Sequence, residues 1–175
     1  MRRRLYLDTS AVSYLRQEDA PDKMAQTRAF WEILKTGKYD AYISDVTIKE
    51  LSRCAEPKRR ELLALLGEIR YNYTEAAGNE TAAAIAAEIK TLGVLPSKSE
   101  SDRRHIAAAV CAGCHVIVSW NFEHIVNERT ADALRILCFS RNLAPVVVRT
   151  PAMMTERRTA DGKPELRRGG HQANS

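Results

Sequence analysis

At 175 residues, of which 45% are apolar, the chain has the length and composition of one globular domain with a sizeable core. No run approaches the roughly 20 apolar residues that span a bilayer, and the segment before Asp8 is too short in apolar residues for a secretory signal. We therefore expect a cytoplasmic protein whose net charge of +5 allows nucleic-acid binding without requiring it.

Strand-like and helical patterns alternate along the chain, which predicts an α/β fold with a parallel sheet covered on both faces. The predicted strands are about 5–7, 39–43, 69–73, 115–119 and 145–149. The predicted helices are about 11–15, 23–35, 45–54, 57–67, 75–92, 101–112 and 128–142. Beyond Pro151 the apolar pattern fades, so we predict one domain at 1–151 and a polar, basic, flexible tail at 152–175.

Polar side chains occupy comparable places next to several of these strands. Asp8 ends the first strand, Glu50 lies in the helix after the second, Asp102 opens an apolar helix, and Asn121 follows the fourth strand. The carboxyl ends of parallel strands share one edge of a sheet, where ligands bind. Carboxylates brought together there repel each other unless a cation is bound, and Mg²⁺ and Mn²⁺ prefer oxygen ligands. The pattern predicts a metal-dependent phosphoryl-transfer site.

Each of these residues also has a purely local interpretation. Asp8 would serve as the N-cap of the following helix, and Glu50 would complete a capping box with Thr47. Asp102 would favour the positive end of its helix dipole, and Asn121 is a common turn residue.

Histidines and cysteines give weaker signals. His105 and His124 are candidates for general acid–base work, although their spacing favours surface or supporting positions. Cys111 and Cys114 form a C-x-x-C pair without further zinc ligands, so we expect reduced, buried thiols around a helix end.

Four short motifs in this order resemble the PIN-domain ribonucleases, including the VapC-type toxins of toxin–antitoxin pairs. The resemblance covers roughly residues 4–151. The motifs are Tyr6–Ser10, Ile43–Leu51, Asp102–Val110 and Val118–Ile125.

The resemblance implies a Rossmann-like three-layer α/β/α sandwich with strand order 3-2-1-4-5. It also implies cleavage of single-stranded RNA with Mg²⁺ or Mn²⁺. Asp8, Glu50 and Asp102 match the three core acids and metal ligands, and Asn121 stands at the fourth acidic position. Asp8 and Asp102 would hold a metal that activates water, while Glu50 binds it directly or through water, or orients the nucleophile.

Supporting roles follow for several neighbours of the acids. Ser119 and Asn121 would hold waters, Thr9 or Ser10 would support Asp8, and Arg103 and Arg104 would contact phosphate or else remain solvated helix residues.

Alternative functions remain open at the level of sequence. A phosphatase of the haloacid-dehalogenase type also begins with a strand-end aspartate but needs a second one where this chain has Ser10. A catalytically weak or silent domain that binds RNA or a partner protein is favoured by the amide at Asn121. As a toxin, the protein would bind a cognate antitoxin that inserts a segment into the acidic cleft, and relatives often form homodimers.

Overall fold

The computed structural model describes residues 1–156, which form a five-stranded, all-parallel sheet with the order β3-β2-β1-β4-β5. This confirms the predicted order, with β1 at the centre. The strands are β1 (Arg4–Leu7), β2 (Asp40–Ser44), β3 (Tyr71–Thr74), β4 (Val116–Val118) and β5 (Val147–Arg149).

Helices connect the strands. They are α1 (Thr9–Ser13), α2 (Pro21–Lys35), α3 (Asp45–Leu51), α4 (Lys58–Leu66), α5 (Glu80–Thr91), α6 (Glu100–Cys111), α7 (Glu128–Ser140) and α8 (Pro151–Thr155), with a 3₁₀ turn at Tyr14–Arg16. None of the helices in residues 1–156 combines the length and the apolar run needed to cross a bilayer.

Two separate apolar cores lie on opposite faces of the sheet, because side chains alternate along a strand. In β1, Leu5 and Leu7 join the core formed with α1, α2 and α4, whereas Tyr6 joins the core formed with α5, α6 and α7. All three side chains are fully buried. The predicted three-layer α/β/α sandwich is therefore confirmed.

The domain continues past the predicted boundary at residue 151. Thr150 caps α8 by accepting a hydrogen bond from the backbone N–H of Met153, and Met154 is buried in the core that α2 helps to form. The two methionines, Met153 and Met154, were too short an apolar run to predict a helix that packs on the core. Residues 157–175, which make up most of the predicted tail, lie outside the described residues.

One helix begins later than predicted. The alanine-rich stretch was expected to be helical from Glu75, but α5 starts at Glu80. The Asp45 carboxylate accepts hydrogen bonds from the backbone N–H groups of Ala76 and Ala77 and holds this segment as a turn. Asn79 then caps the helix, so side-chain hydrogen bonds override the helix propensity of alanine here.

Candidate active site at the carboxyl edge of the sheet

Asp8 immediately follows the central strand and is 3% exposed. It is the N-cap of α1, as its local interpretation predicted: Oδ1 accepts a hydrogen bond from the backbone N–H of Ala11 at 2.8 Å. The same oxygen accepts from Ser10 Oγ at 2.7 Å, and Oδ2 accepts from Ser119 Oγ at 2.5 Å. Capping therefore uses only part of this carboxylate, and Ser10 supports it as expected.

A short chain of hydrogen bonds links Asp8 to Asp102. Ser119, which donates to Asp8, accepts from the backbone N–H of Asn121 at 2.9 Å. The side-chain Nδ2 of Asn121 donates to Asp102 Oδ1, also at 2.9 Å. Residues after β1 and β4 and in the first turn of α6 are thus joined at one edge of the sheet.

The orientation of the Asn121 amide follows from its backbone neighbour. Its Oδ1 accepts a hydrogen bond from the backbone N–H of His124 at 3.0 Å. A backbone N–H can only donate, so the amide oxygen must face it and the NH₂ group must face Asp102. Asn121 therefore acts as a donor to Asp102 in this structure, and its oxygen is turned away from the two aspartates.

Asp102 has a second partner in His124, whose Nδ1 lies 2.8 Å from Asp102 Oδ2. Both side chains are largely buried, at 16% and 18% exposure. Since the carboxylate accepts, Nδ1 carries the proton. His124 therefore holds a supporting position beside the acid, one of the two alternatives that its spacing predicted.

Glu50 belongs to a different hydrogen-bond network. It sits in the last turn of α3, and because the N-cap of that helix is Ser44, no capping box with Thr47 forms. Its carboxylate accepts from Thr9 Oγ1 and Ser101 Oγ, and its Oε2 lies 3.0 Å from His105 Nε2. The sequence predicted that Thr9 or Ser10 would support Asp8. The structure assigns that role to Ser10, whereas Thr9 supports Glu50.

Behind Glu50 a buried chain of polar atoms runs into the core. The hydroxyl of Tyr6 lies 2.7 Å from His105 Nδ1 and 2.6 Å from Ser44 Oγ. The Glu50 carboxylate can only accept, so His105 Nε2 donates to it, and Nδ1 on the other side of the ring contacts the Tyr6 hydroxyl. One continuous hydrogen-bonded chain therefore links Ser44 through Tyr6 and His105 to Glu50.

The pKa values of Asp8 and Glu50 are shifted in opposite directions. Burial raises the pKa of Asp8 above its usual value, in spite of His105 and the hydroxyl groups that favour its ionised form. Burial also acts to raise the pKa of Glu50. The hydrogen bond and the charge of His105, together with hydrogen bonds from Ser101 and Thr9, outweigh burial and lower the pKa of Glu50 to about 2. Glu50 is thus ionised at neutral pH.

The two arginines beside Asp102 do not share one role. Arg103 is 5% exposed, and its guanidinium donates to the backbone carbonyls of Pro96 and Ser97, both at 2.9 Å. Neither alternative for Arg103 holds, because it is buried rather than solvated and its two terminal guanidinium nitrogens donate to the turn before α6 instead of facing a phosphate. Arg104 is exposed and pairs with Glu100 one helical turn away.

Within residues 1–156, no group of three or more His, Cys, Asp or Glu side chains stands close enough together to hold a metal ion. Asp8 and Asp102 nevertheless suit a hard cation as a linked pair of oxygen donors. Asp8 is buried, and none of the salt bridges in the described residues includes it, so hydrogen bonds and the nearby His105 offset only part of the cost of its charge. Glu50 has its recorded contacts in a separate network.

A cavity of about 460 Å³ opens beside Glu50, between α3 and α6. Three basic side chains line it: Lys49, Arg53 and Arg104. All three are exposed at the surface. Three acids, Asp45, Glu50 and Glu100, line the same cavity, so the basic groups can make individual phosphate contacts but the lining has no net positive charge. Lys49 and Arg53 had not been identified from the sequence, where they look like solvated helix residues.

Other contributors were also missed. Tyr6 and Ser101 complete the network around Glu50. A tyrosine in the middle of a buried strand is a usable signal, since a buried hydroxyl needs a partner. Nothing local marks Ser101. The four cysteines are free, as predicted for reduced thiols, although Cys54 and Cys111 are only partly buried.

Comparison with known proteins gives a likeness in structure and none in sequence. No protein-family model matches the chain, and no curated protein matches it. A chain of the crystal structure of VapBC2 from Rickettsia felis bound to a DNA fragment from their promoter is similar, with a TM-score of 0.53 and 13% identity. The match covers 84% of this chain and 98% of that chain.

At this identity the likeness concerns the fold alone. The fold in question is this chain's five-stranded parallel sheet with helices on both faces. The chain has a PIN-like α/β/α fold, with Asp8, Ser119, Asn121 and Asp102 joined at the carboxyl edge of its sheet.

Proposed function

We propose that this protein is an endoribonuclease that cleaves single-stranded RNA with the help of Mg²⁺ or Mn²⁺. The observation that carries the proposal is the hydrogen-bonded link from Asp8 through Ser119 and Asn121 to Asp102, at the edge of a parallel sheet where ligands bind. A cytoplasmic setting, where RNA is available, belongs to the same proposal.

Asp8 and Asp102 would hold the ion. Ser119 fixes one oxygen of Asp8, and the Asn121 amide fixes one oxygen of Asp102; a carboxylate oxygen has two lone pairs, so each retains one for a cation. An ion bound there would supply a Lewis acid that activates water and offsets charge on the phosphoryl oxygens. Since Asn121 directs its NH₂ group inward, we expect one ion and not two.

Glu50 would act next to this pair, through water to the ion or by orienting the attacking water. Its lowered pKa keeps it ionised, so it can accept a hydrogen bond from the attacking water. His105, Thr9 and Ser101 hold its two oxygens in place. These three donors restrict the carboxylate to one orientation, which favours a positioning role.

The basic side chains beside Glu50 support RNA as the substrate. Lys49, Arg53 and Arg104 line the cavity beside Glu50, where a strand entering the site would place its phosphates. We also propose a protein partner of the antitoxin class, since the similar structure is a two-component complex, VapBC2. A segment of that partner would enter the cleft and block the acids; a role as toxin and self-association as a homodimer go with this proposal.

A second candidate is a catalytically silent domain that binds RNA or a partner protein. The orientation of Asn121 favours it, because a neutral amide NH₂ faces Asp102 where a fourth carboxylate would supply another metal ligand. Such a protein would keep the basic side chains beside Glu50 and bind without turnover.

Cleavage of a labelled pool of single-stranded RNA in Mg²⁺, Mn²⁺ or EDTA separates the two. Asp8→Asn is the test variant. Asp132→Asn is its matched control, because Asp132 is an exposed aspartate of α7 that pairs with Arg135. The nuclease proposal expects divalent-dependent cutting that survives in the control and falls by orders of magnitude in Asp8→Asn. Folded protein that binds RNA but never cuts it would establish the silent alternative.

A further inference from the structure

Three aromatic side chains form a continuous cluster that is hydrogen-bonded through Ser10 to Asp8, and we name it the aromatic platform: Tyr14, Trp120 and Phe122. The ring centroids of Tyr14 and Trp120 are 6.0 Å apart, and those of Trp120 and Phe122 are 6.1 Å apart. Trp120 is nearly buried, whereas Phe122 is 47% exposed. The cluster therefore has a fixed interior and an open outer ring.

A lysine from α2 completes the platform. The Nζ atom of Lys23 lies 5.4 Å from the ring centroid of Tyr14, 5.7 Å from that of Trp120 and 5.3 Å from that of Phe122. None of the salt bridges in residues 1–156 involves Lys23. Its charge is thus held by three ring faces and is not neutralised by a carboxylate.

The platform is hydrogen-bonded to the site. The backbone N–H of Trp120 donates to Ser10 Oγ at 2.7 Å, and Ser10 in turn donates to Asp8. The indole Nε1 of Trp120 donates to the buried Thr27 Oγ1 at 2.8 Å, which fixes the ring. Phe122 is the residue directly after Asn121, the donor to Asp102. The platform is therefore linked to Asp8 through Trp120 and Ser10, and its open ring follows directly after the residue that donates to Asp102.

We propose that the aromatic platform binds one unpaired nucleotide of the substrate strand, with the base stacked on Phe122 and a phosphate next to Lys23. Proteins that bind single-stranded nucleic acids combine these two elements, because every base has a π-face and every nucleotide a negative charge. A paired base is already stacked within its helix and cannot reach Phe122. The platform thus selects single strands. The inference rests on the proposed function only in naming RNA cleaved at the site as the ligand.

The test measures binding in EDTA, so that no cleavage intervenes, with a short fluorescent single-stranded RNA read by anisotropy. Phe122→Leu keeps an apolar side chain but removes the ring. We expect about 5- to 150-fold weaker binding, the range for one lost base–aromatic stack, and recovery in Phe122→Tyr. Phe139→Leu is the matched control, because Phe139 is an 88% exposed phenylalanine on α7. An abasic nucleotide in the RNA should abolish the difference between wild type and Phe122→Leu.

The lysine is tested through salt dependence. Lys23→Gln should lower the slope of log K against log salt by about 0.7, the value for one phosphate contact on a single strand. Lys38→Gln is the matched control: its Nζ lies 5.4 Å from the Tyr39 ring, directly before β2 and hence at the opposite end of the sheet. The control slope should not change.

Failure of this inference can be distinguished from failure of the proposed function. If the protein cuts RNA in Mn²⁺ but Phe122→Leu leaves its affinity for RNA unchanged, the platform is overturned and the proposed nuclease activity stands. Binding that depends on Phe122 without any cutting would support the platform and overturn the nuclease. Equal affinity for duplex and single-stranded RNA would also overturn the platform. So would a Phe122→Leu variant that loses a protein partner but keeps its affinity for RNA.

Discussion

Replacing Asp8 with asparagine should have opposite consequences for stability with and without metal. Asp8 is almost fully buried and accepts hydrogen bonds from Ser10, Ser119 and the backbone of Ala11. These donors offset part of the cost of burying its charge, yet its pKa remains raised. Asparagine has nearly the same shape, and the Ser119 hydroxyl can accept from its NH₂ group, so the substitution removes charge and little else.

The sign without metal follows from proton linkage. Because the pKa of Asp8 is raised in the folded state, the unfolded chain loses this proton first as pH increases. Wild-type stability should therefore decline as pH rises from about 4 toward neutrality, and Asp8→Asn should remove that part of the decline. A buried polar group with incomplete compensation costs about 1–3 kcal/mol. At about 2–4 °C per kcal/mol for a chain of this size, the variant should melt about 2–12 °C higher in EDTA at neutral pH.

Metal should reverse the order of the two proteins. An ion at about 100 times its dissociation constant stabilises the protein that binds it by about 2.7 kcal/mol, which corresponds to a rise of about 5–11 °C in Tm. Wild type should gain this in Mn²⁺. Asp8→Asn should gain little, since it lacks the buried carboxylate.

The assay is a thermal melt of wild type, Asp8→Asn and the control Asp132→Asn, in EDTA and in Mn²⁺, at several pH values. The control removes an exposed carboxylate and should follow wild type throughout. The reasoning would be refuted if Asp8→Asn melted below wild type in EDTA at neutral pH. An equal shift in Mn²⁺ for wild type and Asp8→Asn would refute the assignment of the ion to Asp8.

Three further substitutions probe other parts of the structure. Asn121→Asp replaces an amide donor by a second carboxylate beside an aspartate, so we expect a lower Tm in EDTA that Mn²⁺ restores; an unchanged Tm in EDTA would contradict the geometry. Tyr6→Phe removes the hydroxyl that contacts both Ser44 and His105, so it should lower the free energy of unfolding by about 1–3 kcal/mol in a denaturant melt. The control Tyr42→Phe on the neighbouring strand should lower it less. Met154→Ala should lower stability by about 2 kcal/mol if α8 belongs to the core; the exposed neighbour in Met153→Ala should have little effect.

The strands were predictable because strong local signals agree with each other, whereas their order was implied by the resemblance to PIN-domain proteins. Short apolar runs separated by helices allow few arrangements, and the position of Asp8 after the first strand places it at the centre of the ligand-binding edge. Asp102 and Asn121 were predicted to meet there, and they do so through one hydrogen bond.

The details that the sequence could not provide depend on partners far along the chain. His105 meets Glu50, 55 residues away, and nothing near either residue marks the pair. Arg103 looks like a solvated basic residue until the turn before α6 folds back and occupies its donors with carbonyls. The direction of the Asn121 amide depends on the backbone of the following turn. In each case a hydrogen-bonded contact overrides the local expectation.

Tyr6 has a consequence for how this protein can change during evolution. Its ring fills the core on one face of the central strand, and its hydroxyl orients His105, the partner of Glu50. Phenylalanine retains the packing and loses the orientation, and a small polar residue does the opposite. Position 6 is thus constrained by two independent requirements at once. In a randomised library selected for activity we expect tyrosine alone at this position, and a mixture of residues at Tyr42, a partly buried residue of the adjacent strand.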